Sequence, residues 1–294
     1  MQASKKINDQ LNIAHENKIK IQEIYEKQEE ERNLKRKEAR TLFEQGYELF
    51  QNYKRLSVVK NHQYMEDLML FDNSIKSFDS DEKVYEWKGF ALYNLKKYQD
   101  SIECYDKALS INPNNDNVQG NKGLSLNKLN KYQEAIECYD KALSINSSND
   151  TVWGNKGSSL KKLNKHQEAI ECYDKALSIN PNNYTVWSNK GLSLNELHKY
   201  QEAIECYDKV LSINPKYHSA FINKGFALNQ LKQYQDAIIC YKKAIISTDP
   251  LKLRLLGDSL LESGLKDQAK QSYLAALRQG SSEQKYIEEQ LQKL

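Results

Sequence analysis

The residues best able to do chemistry in this chain of 294 residues are five cysteines: Cys104, Cys138, Cys172, Cys206 and Cys240. Each lies 34 residues after the one before it. As thiolates they could bind zinc, exchange disulfides or act as nucleophiles. The spacing argues against all three. The chain has no C-x-x-C pair of the kind that zinc and redox sites use. Packed helices lie roughly 8–10 Å apart, beyond the ~7 Å between Cα atoms that a disulfide tolerates. A thiol at one position of every copy is expected to be a small apolar packing residue. The five histidines make no ligand pattern, and His166 stands where Tyr132 and Tyr200 stand in other copies. Acid pairs such as Glu171 and Asp174 recur at helix-surface spacing, as solvated faces do. No H-E-x-x-H and no phosphate-cradling glycine loop occurs. The expectation is no catalytic residue, no metal and no cofactor.

The same step of 34 residues governs the elements that carry these side chains. It relates Tyr105, Tyr139, Tyr173, Tyr207 and Tyr241, and also Gly89, Gly123, Gly157, Gly191 and Gly225. A fixed period of this length marks a repeat array. In the copy from Thr151 to Asn183, Trp153, Gly157 and Leu160 share one helix face. Ala169, Tyr173, Ala176 and Leu177 share the face of a second helix. Lys165 and His166 are placed at the turn between them. A glycine inside a helix costs roughly 1 kcal/mol relative to alanine. Its presence in copy after copy predicts a close helix contact, placed here against Ala169. Pro181 follows the second helix, and Pro113, Pro215 and Pro250 lie at or beside the same turn.

This unit resembles the tetratricopeptide repeat. The family's Trp, Leu-Gly, Tyr, Ala, Phe/Tyr, Ala and Pro signature falls on Trp153, Lys156-Gly157, Leu160, Ala169, Tyr173, Ala176 and Pro181. Lysine replaces the usual leucine at Lys88, Lys122, Lys156, Lys190 and Lys224; its stem is expected to pack while the ammonium reaches water. The resemblance implies an all-α, right-handed superhelical solenoid of helix–turn–helix repeats. It also implies a concave groove lined by the first helix of each pair.

The expected organisation begins with a charged helix over 1–38, read as a solvated extension of the first repeat helix or as a coiled coil that pairs chains. Its basic stretch, Arg32 to Arg40, also fits an import signal. The array follows over 39–281, as a divergent 39–81 and then 82–115, 116–149, 150–183, 184–217, 218–249 and 250–281. An enlarged turn is placed around Lys54 to Gln63, with the second helix of that repeat near Met65 to Phe78. A capping helix closes the chain over 282–294, with Ser281 and Gln284 at capping-box spacing.

A net charge of +3, with Lys and Glu interspersed, describes solvated helix faces rather than a nucleic-acid footprint. No apolar run approaches the ~18 residues of a membrane span, and the first residues lack a signal-peptide core. The chain is read as cytosolic, with no membrane and no nucleic-acid partner. Asn146, Asn149 and Asn183 begin glycosylation-like triplets, read as chance in an Asn-rich chain.

The position two before the repeat glycine is expected to face the groove. It holds Asn121, Asn155, Asn189 and Asn223, with Trp87 in the earlier unit. An amide both donates and accepts, so it can pair with a peptide backbone whatever its sequence. The row resembles the asparagine ladder of O-linked N-acetylglucosamine transferase superhelices. The position after the glycine holds Phe90, Leu124, Ser158, Leu192 and Phe226, so apolar and polar groups alternate along the floor. No three adjacent units supply the Lys, Asn and Arg set that the family uses to clamp chaperone carboxylates. The expected function is a non-enzymatic scaffold or adaptor that holds an extended segment of a partner protein. Two alternatives stand beside it. One is a structural subunit joined through the convex face and the N-terminal helix, which would also pair two copies. The other is the targeting array of a glycosyltransferase whose catalytic domain lies on another chain.

Overall fold

The computed structural model describes the backbone of residues 2–55, 68–75, 81–244 and 249–294, and their side chains except those of 2–19 and 49–55. All regular structure among these residues is helical: α1 (Gln2–Arg55), α2 (68–75), α3 (Glu82–Asn94), α4 (Tyr98–Ile111), α5 (Asp116–Lys128), α6 (Tyr132–Ile145), α7 (Asp150–Lys162), α8 (His166–Ile179), α9 (Tyr184–Glu196), α10 (Tyr200–Ile213), α11 (His218–Gln230), α12 (Tyr234–Ala244), α13 (Pro250–Glu262), α14 (Lys266–Arg278) and α15 (Gln284–Gln292). The fold is an all-α repeat solenoid. The helices group into two compact parts, Met1–Asn130 and Lys131–Leu294.

In the second part each hairpin closes through one contact. Gly157 on α7 faces the ring of Tyr173 on α8, where an added Cβ would lie 2.6 Å from Cε1 and 2.8 Å from Cδ1. Gly191 and Tyr207 repeat the contact between α9 and α10, at 2.7 Å. The glycine therefore answers a tyrosine ring. Ala169, the expected partner, contributes only its backbone oxygen, at 3.1 Å. Ala169, Tyr173 and Ala176 are fully buried around this contact. In the first part Gly89 meets Tyr105 in the same way, and Gly46 meets Phe71.

The first helices α5, α7 and α9 each start on an asparagine cap, whereas α11 starts on Tyr217 with no side-chain cap. The side chains of Asn149 and Asn183 accept from the N–H groups of Val152 and Val186, and Asn115 accepts from Val118. These bonds satisfy orphan N–H groups of the first turn. Two asparagines of the glycosylation-like triplets are thus helix caps. Each first helix ends in a left-handed residue, such as Asn164 at φ 60° or His198 at φ 59°. The Lys165 N–H then reaches the Leu160 carbonyl at 3.0 Å, which closes the turn. His166, expected in the turn, is the first residue of α8. The indoles of Trp153 and Trp187 donate to the carbonyls of Ser147 and Pro181, at 2.9 and 2.8 Å. The turn at Ser147, which lacks proline, is held as the Pro181 turn is.

The lysines in the family's leucine position do more than reach water. Each pairs at 2.5 Å with an aspartate sixteen residues earlier: Lys156 with Asp140, Lys190 with Asp174 and Lys224 with Asp208. In the first part Lys88 pairs with Asp72 and Lys122 with Asp106. Each pair ties a first helix to the second helix of the preceding repeat. Their half-exposed position limits their contribution.

Two expected boundaries are corrected. Lys54 and Arg55 are still helical, because no proline stops α1 before them and Gly46 is accommodated within it; 56–63 lie outside the described residues. Of the expected second helix, 68–75 are helical and the ends lie outside the described residues. The Ser281 hydroxyl accepts from the Glu283 N–H instead of capping a helix, and α15 starts on Glu283 with no side-chain cap. A local turn has taken the oxygen that the box requires. Along α1, residues 20–38 are exposed and Ala39 is the first buried side chain among those described. This stretch is laced by Glu29–Arg32 and Glu31–Lys35 pairs.

Two outcomes follow from this packing. Gly157→Ala gains roughly 1 kcal/mol in helix propensity, but the crowding against Tyr173 costs ~1–3 kcal/mol. Urea denaturation is expected to show a net loss of about 1 kcal/mol; a stabilised variant would show that the ring yields freely. The second outcome concerns alkaline pH. Burial pushes the thiols of Cys104 and Cys172 up to about 11 and that of Cys206 to about 12. It also raises the phenols of Tyr105, Tyr173, Tyr207 and Tyr241. In the unfolded chain these groups ionise near ~8.5 and ~10. Above those values the folded form holds more protons, so stability falls as pH rises. The melting temperature should decline once the pH passes about 8.5, and a level profile to about pH 10 would contradict the burial of these groups.

Candidate functional site

Two residues of helix turn the chain by about 200°. The residue two before each repeat glycine therefore points away from the tyrosine contact. On the second part this places Asn155 on α7, Asn189 on α9 and Asn223 on α11, all half-buried on equivalent faces. Here α7 approaches α9, α9 approaches α11 and α11 approaches α13, more closely than the second helices approach one another. The row of first helices is therefore the inner side of this part.

The amides are not equally engaged. Lys161 Nζ donates to Asn189 Oδ1 at 2.9 Å, and the NH2 of that amide holds no hydrogen-bond partner among the described residues. Among the described residues the side chains of Asn155 and Asn223 hold no hydrogen-bond partner. In the first part Asn121 on α5 is likewise half-buried with no such partner. The structure thus brings three of the four asparagines onto neighbouring helices of one part, and Asn121 belongs to the other.

Between the asparagines the floor varies. Leu192 is half-buried, and Phe226 is 39% exposed with its ring 6.4 Å from Tyr200. Ser158 Oγ lies 3.5 Å from the Tyr173 hydroxyl. Asn195 Nδ2 donates to the Tyr207 hydroxyl at 3.0 Å. The buried tyrosines thus set polar tips beneath the floor. In the first part Leu124 and Phe90 are half-buried. The Phe90 ring stands edge-on to Trp87 at 5.9 Å, and Trp87 to Tyr47 at 4.9 Å. An aromatic step thus replaces the asparagine in that unit.

At the far end of the second part a polar network gathers around Asp258 of α13. Arg254 pairs with Asp258 and with Glu283, both at 2.6 Å. The hydroxyls of Tyr273 and Tyr286 donate to Asp258 at 2.7 and 3.1 Å. Glu283 and Tyr286, at the start of α15, thereby reach across to α13. Sequence reasoning missed this network, as it missed Lys161 and the Lys–Asp pairs. The last had a legible signal, because Asp and Lys recur sixteen residues apart in five copies. The cysteines are all buried and free. Among the described residues no group of His, Cys, Asp or Glu is arranged to hold a metal ion. Nor is any helix long and apolar enough to cross a membrane.

Helical hairpins stacked in register, with a polar inner face, define a repeat protein of the helix–turn–helix class. The chain belongs to the tetratricopeptide repeat family, whose models match residues 83–115, 117–149, 151–183, 184–217 and 218–245. No curated protein matches it. Among solved structures it is similar to PilF of Pseudomonas aeruginosa, with a TM-score of 0.62 at 22% identity, over 72% of this chain and 97% of that one. A tetratricopeptide repeat protein from Parabacteroides merdae gives 0.61 at 15% identity, over 87% and 98%. YrrB, described as a TPR protein with an unusual peptide-binding site, gives 0.53 at 22% identity, over 67% and 97%. At these identities the likeness concerns the fold.

Proposed function

We propose that this protein is a non-enzymatic scaffold that holds an extended segment of a partner protein against its first helices. The observation that carries the reading is the row Asn155, Asn189 and Asn223. These amides sit on the first helices of successive repeats, half-buried, and two of them hold no side-chain partner among the described residues. A polar group kept in that state contributes little to folding. It is suited to meet the N–H and C=O groups of an incoming backbone, which repeat as the amides do. Asn121 offers the same group in the first part. Leu192 and Phe226, and Phe90 and Leu124 in the first part, supply apolar contacts that select among side chains. The peptide-binding site named for YrrB supports the reading by likeness of fold.

A second reading has its own observation. Ile21, Ile24, Tyr25 and Leu34 stand more than half exposed along α1. This helix could join two copies or dock the protein into a larger assembly.

The test of the first reading uses Asn155→Ala combined with Asn223→Ala. Each amide is expected to contribute ~0.5–1.5 kcal/mol to binding. The double variant should bind a partner peptide more weakly by ~1–3 kcal/mol, since the two sites lie two repeats apart and add. Helicity and melting temperature should stay unchanged. Calorimetry that shows unaltered affinity in the folded variant would move the binding surface to the outer face or to α1.

A further inference from the structure

Four residues after the repeat glycine, the first helices carry Asn127 on α5, Lys161 on α7, Asn195 on α9 and Asn229 on α11. Of these, α7 alone has a charge. Lys161 is half-buried, and its Nζ donates to Asn189 Oδ1 at 2.9 Å. The other inward-packed lysines of this part, Lys156, Lys190 and Lys224, each hold a carboxylate at 2.5 Å. Lys161 forms no ion pair among the described residues. Burial lowers its pKa, Lys162 adds to that effect, and Glu196 opposes it more weakly. A partly desolvated ammonium answered only by a neutral amide is under-compensated. The bond to Asn189 uses one N–H and leaves the others to find an acceptor. The groups beside it are Ser158, one turn earlier on α7, and the Asn189 amide of α9. Neither brings a negative charge, and Glu196 on α9 acts on the ammonium without forming an ion pair with it.

We propose that Lys161, with the NH2 of Asn189, seats one carboxylate of the bound segment. The inference rests on the reading of the inner face given above, and adds to it the chemistry of one partner residue. The seat is one cation in one repeat. The Asn155 and Asn223 amides hold the backbone on either side of it, and the carboxylate fixes which residue of the segment lies over α7. A side chain of Asp or Glu and a chain terminus present the same group to the lysine.

The probe is a set of three pools of short peptides, otherwise random in uncharged residues and labelled with a neutral dye. One pool fixes a central Asp and has an amidated end. One fixes Asn there and is also amidated. The third fixes Asn and keeps its terminal carboxylate. Anisotropy on the full chain should show the Asp pool binding about tenfold tighter than the amidated Asn pool, the worth of one charge-assisted bond. Lys161→Gln should erase that gain, while Lys162→Gln, at an exposed position, keeps most of it. A gain that moves to the third pool and is lost in Lys161→Gln also supports the seat, and assigns the carboxylate to a chain end. Equal binding of all pools, or a gain that survives Lys161→Gln, overturns the seat. If binding still falls in the Asn155→Ala, Asn223→Ala variant, the reading of the face then stands without it. Binding that ignores the asparagines, or no binding of any pool, overturns both.

Discussion

A tyrosine ring pressed against a glycine of the opposite helix shuts each hairpin, and the rest of the arrangement depends on that contact. Gly157 and Tyr173 show why: with any side chain at 157, its first carbon would lie within 3 Å of the ring. The ring fixes how closely α7 and α8 approach. That distance sets which residues of α7 are buried and which remain on the far side. The contact recurs with Gly191, Gly225 and Gly257, so the hairpins of the second part are near copies. Copies stack in register, and the Lys–Asp pairs sit at the same place in each step.

Repetition has a functional consequence. A peptide backbone presents the same donor and acceptor at every residue, and an array presents the same amide at every repeat. The buried face of α7 and of α9 is occupied by the tyrosine contact, and the N-terminus of each by Asn149 or Asn183 as a cap. The asparagines two before the glycine are left with no structural task that their burial or hydrogen bonds reveal. Asn189 alone is engaged, and its partner is a lysine that lacks a carboxylate. The network of Arg254, Asp258, Tyr273 and Tyr286 ends this pattern by satisfying the inner face of α13 within the chain.

The period of 34 residues made the helical pairs, the buried alanines and the burial of the cysteines legible before any coordinates. What it could not show was the identity of contacts. Periodicity places Gly157 on a face but does not say that the ring of Tyr173, rather than Ala169, fills the space. Asn149 and Asn183 looked like chance triplets because capping depends on where a helix starts, and boundaries are the least certain part of a sequence reading. Ser281 and Gln284 had the right spacing for a capping box, yet the hydroxyl closes a local turn. Lys161 escaped notice because attention fell on positions that are constant across repeats, and this one departs from its neighbours.

The central claim is that the partner lies along the first helices. Photo-crosslinking tests it most directly. A photoreactive residue in place of Asn155 is compared with one in place of Glu171, which is exposed on α8. Both proteins are exposed to a partner peptide of known sequence, and the crosslinked residues are read by mass spectrometry. The account predicts a defined crosslink from position 155 and none from position 171. Crosslinks from 171 with none from 155 would contradict it and place the partner on the second helices.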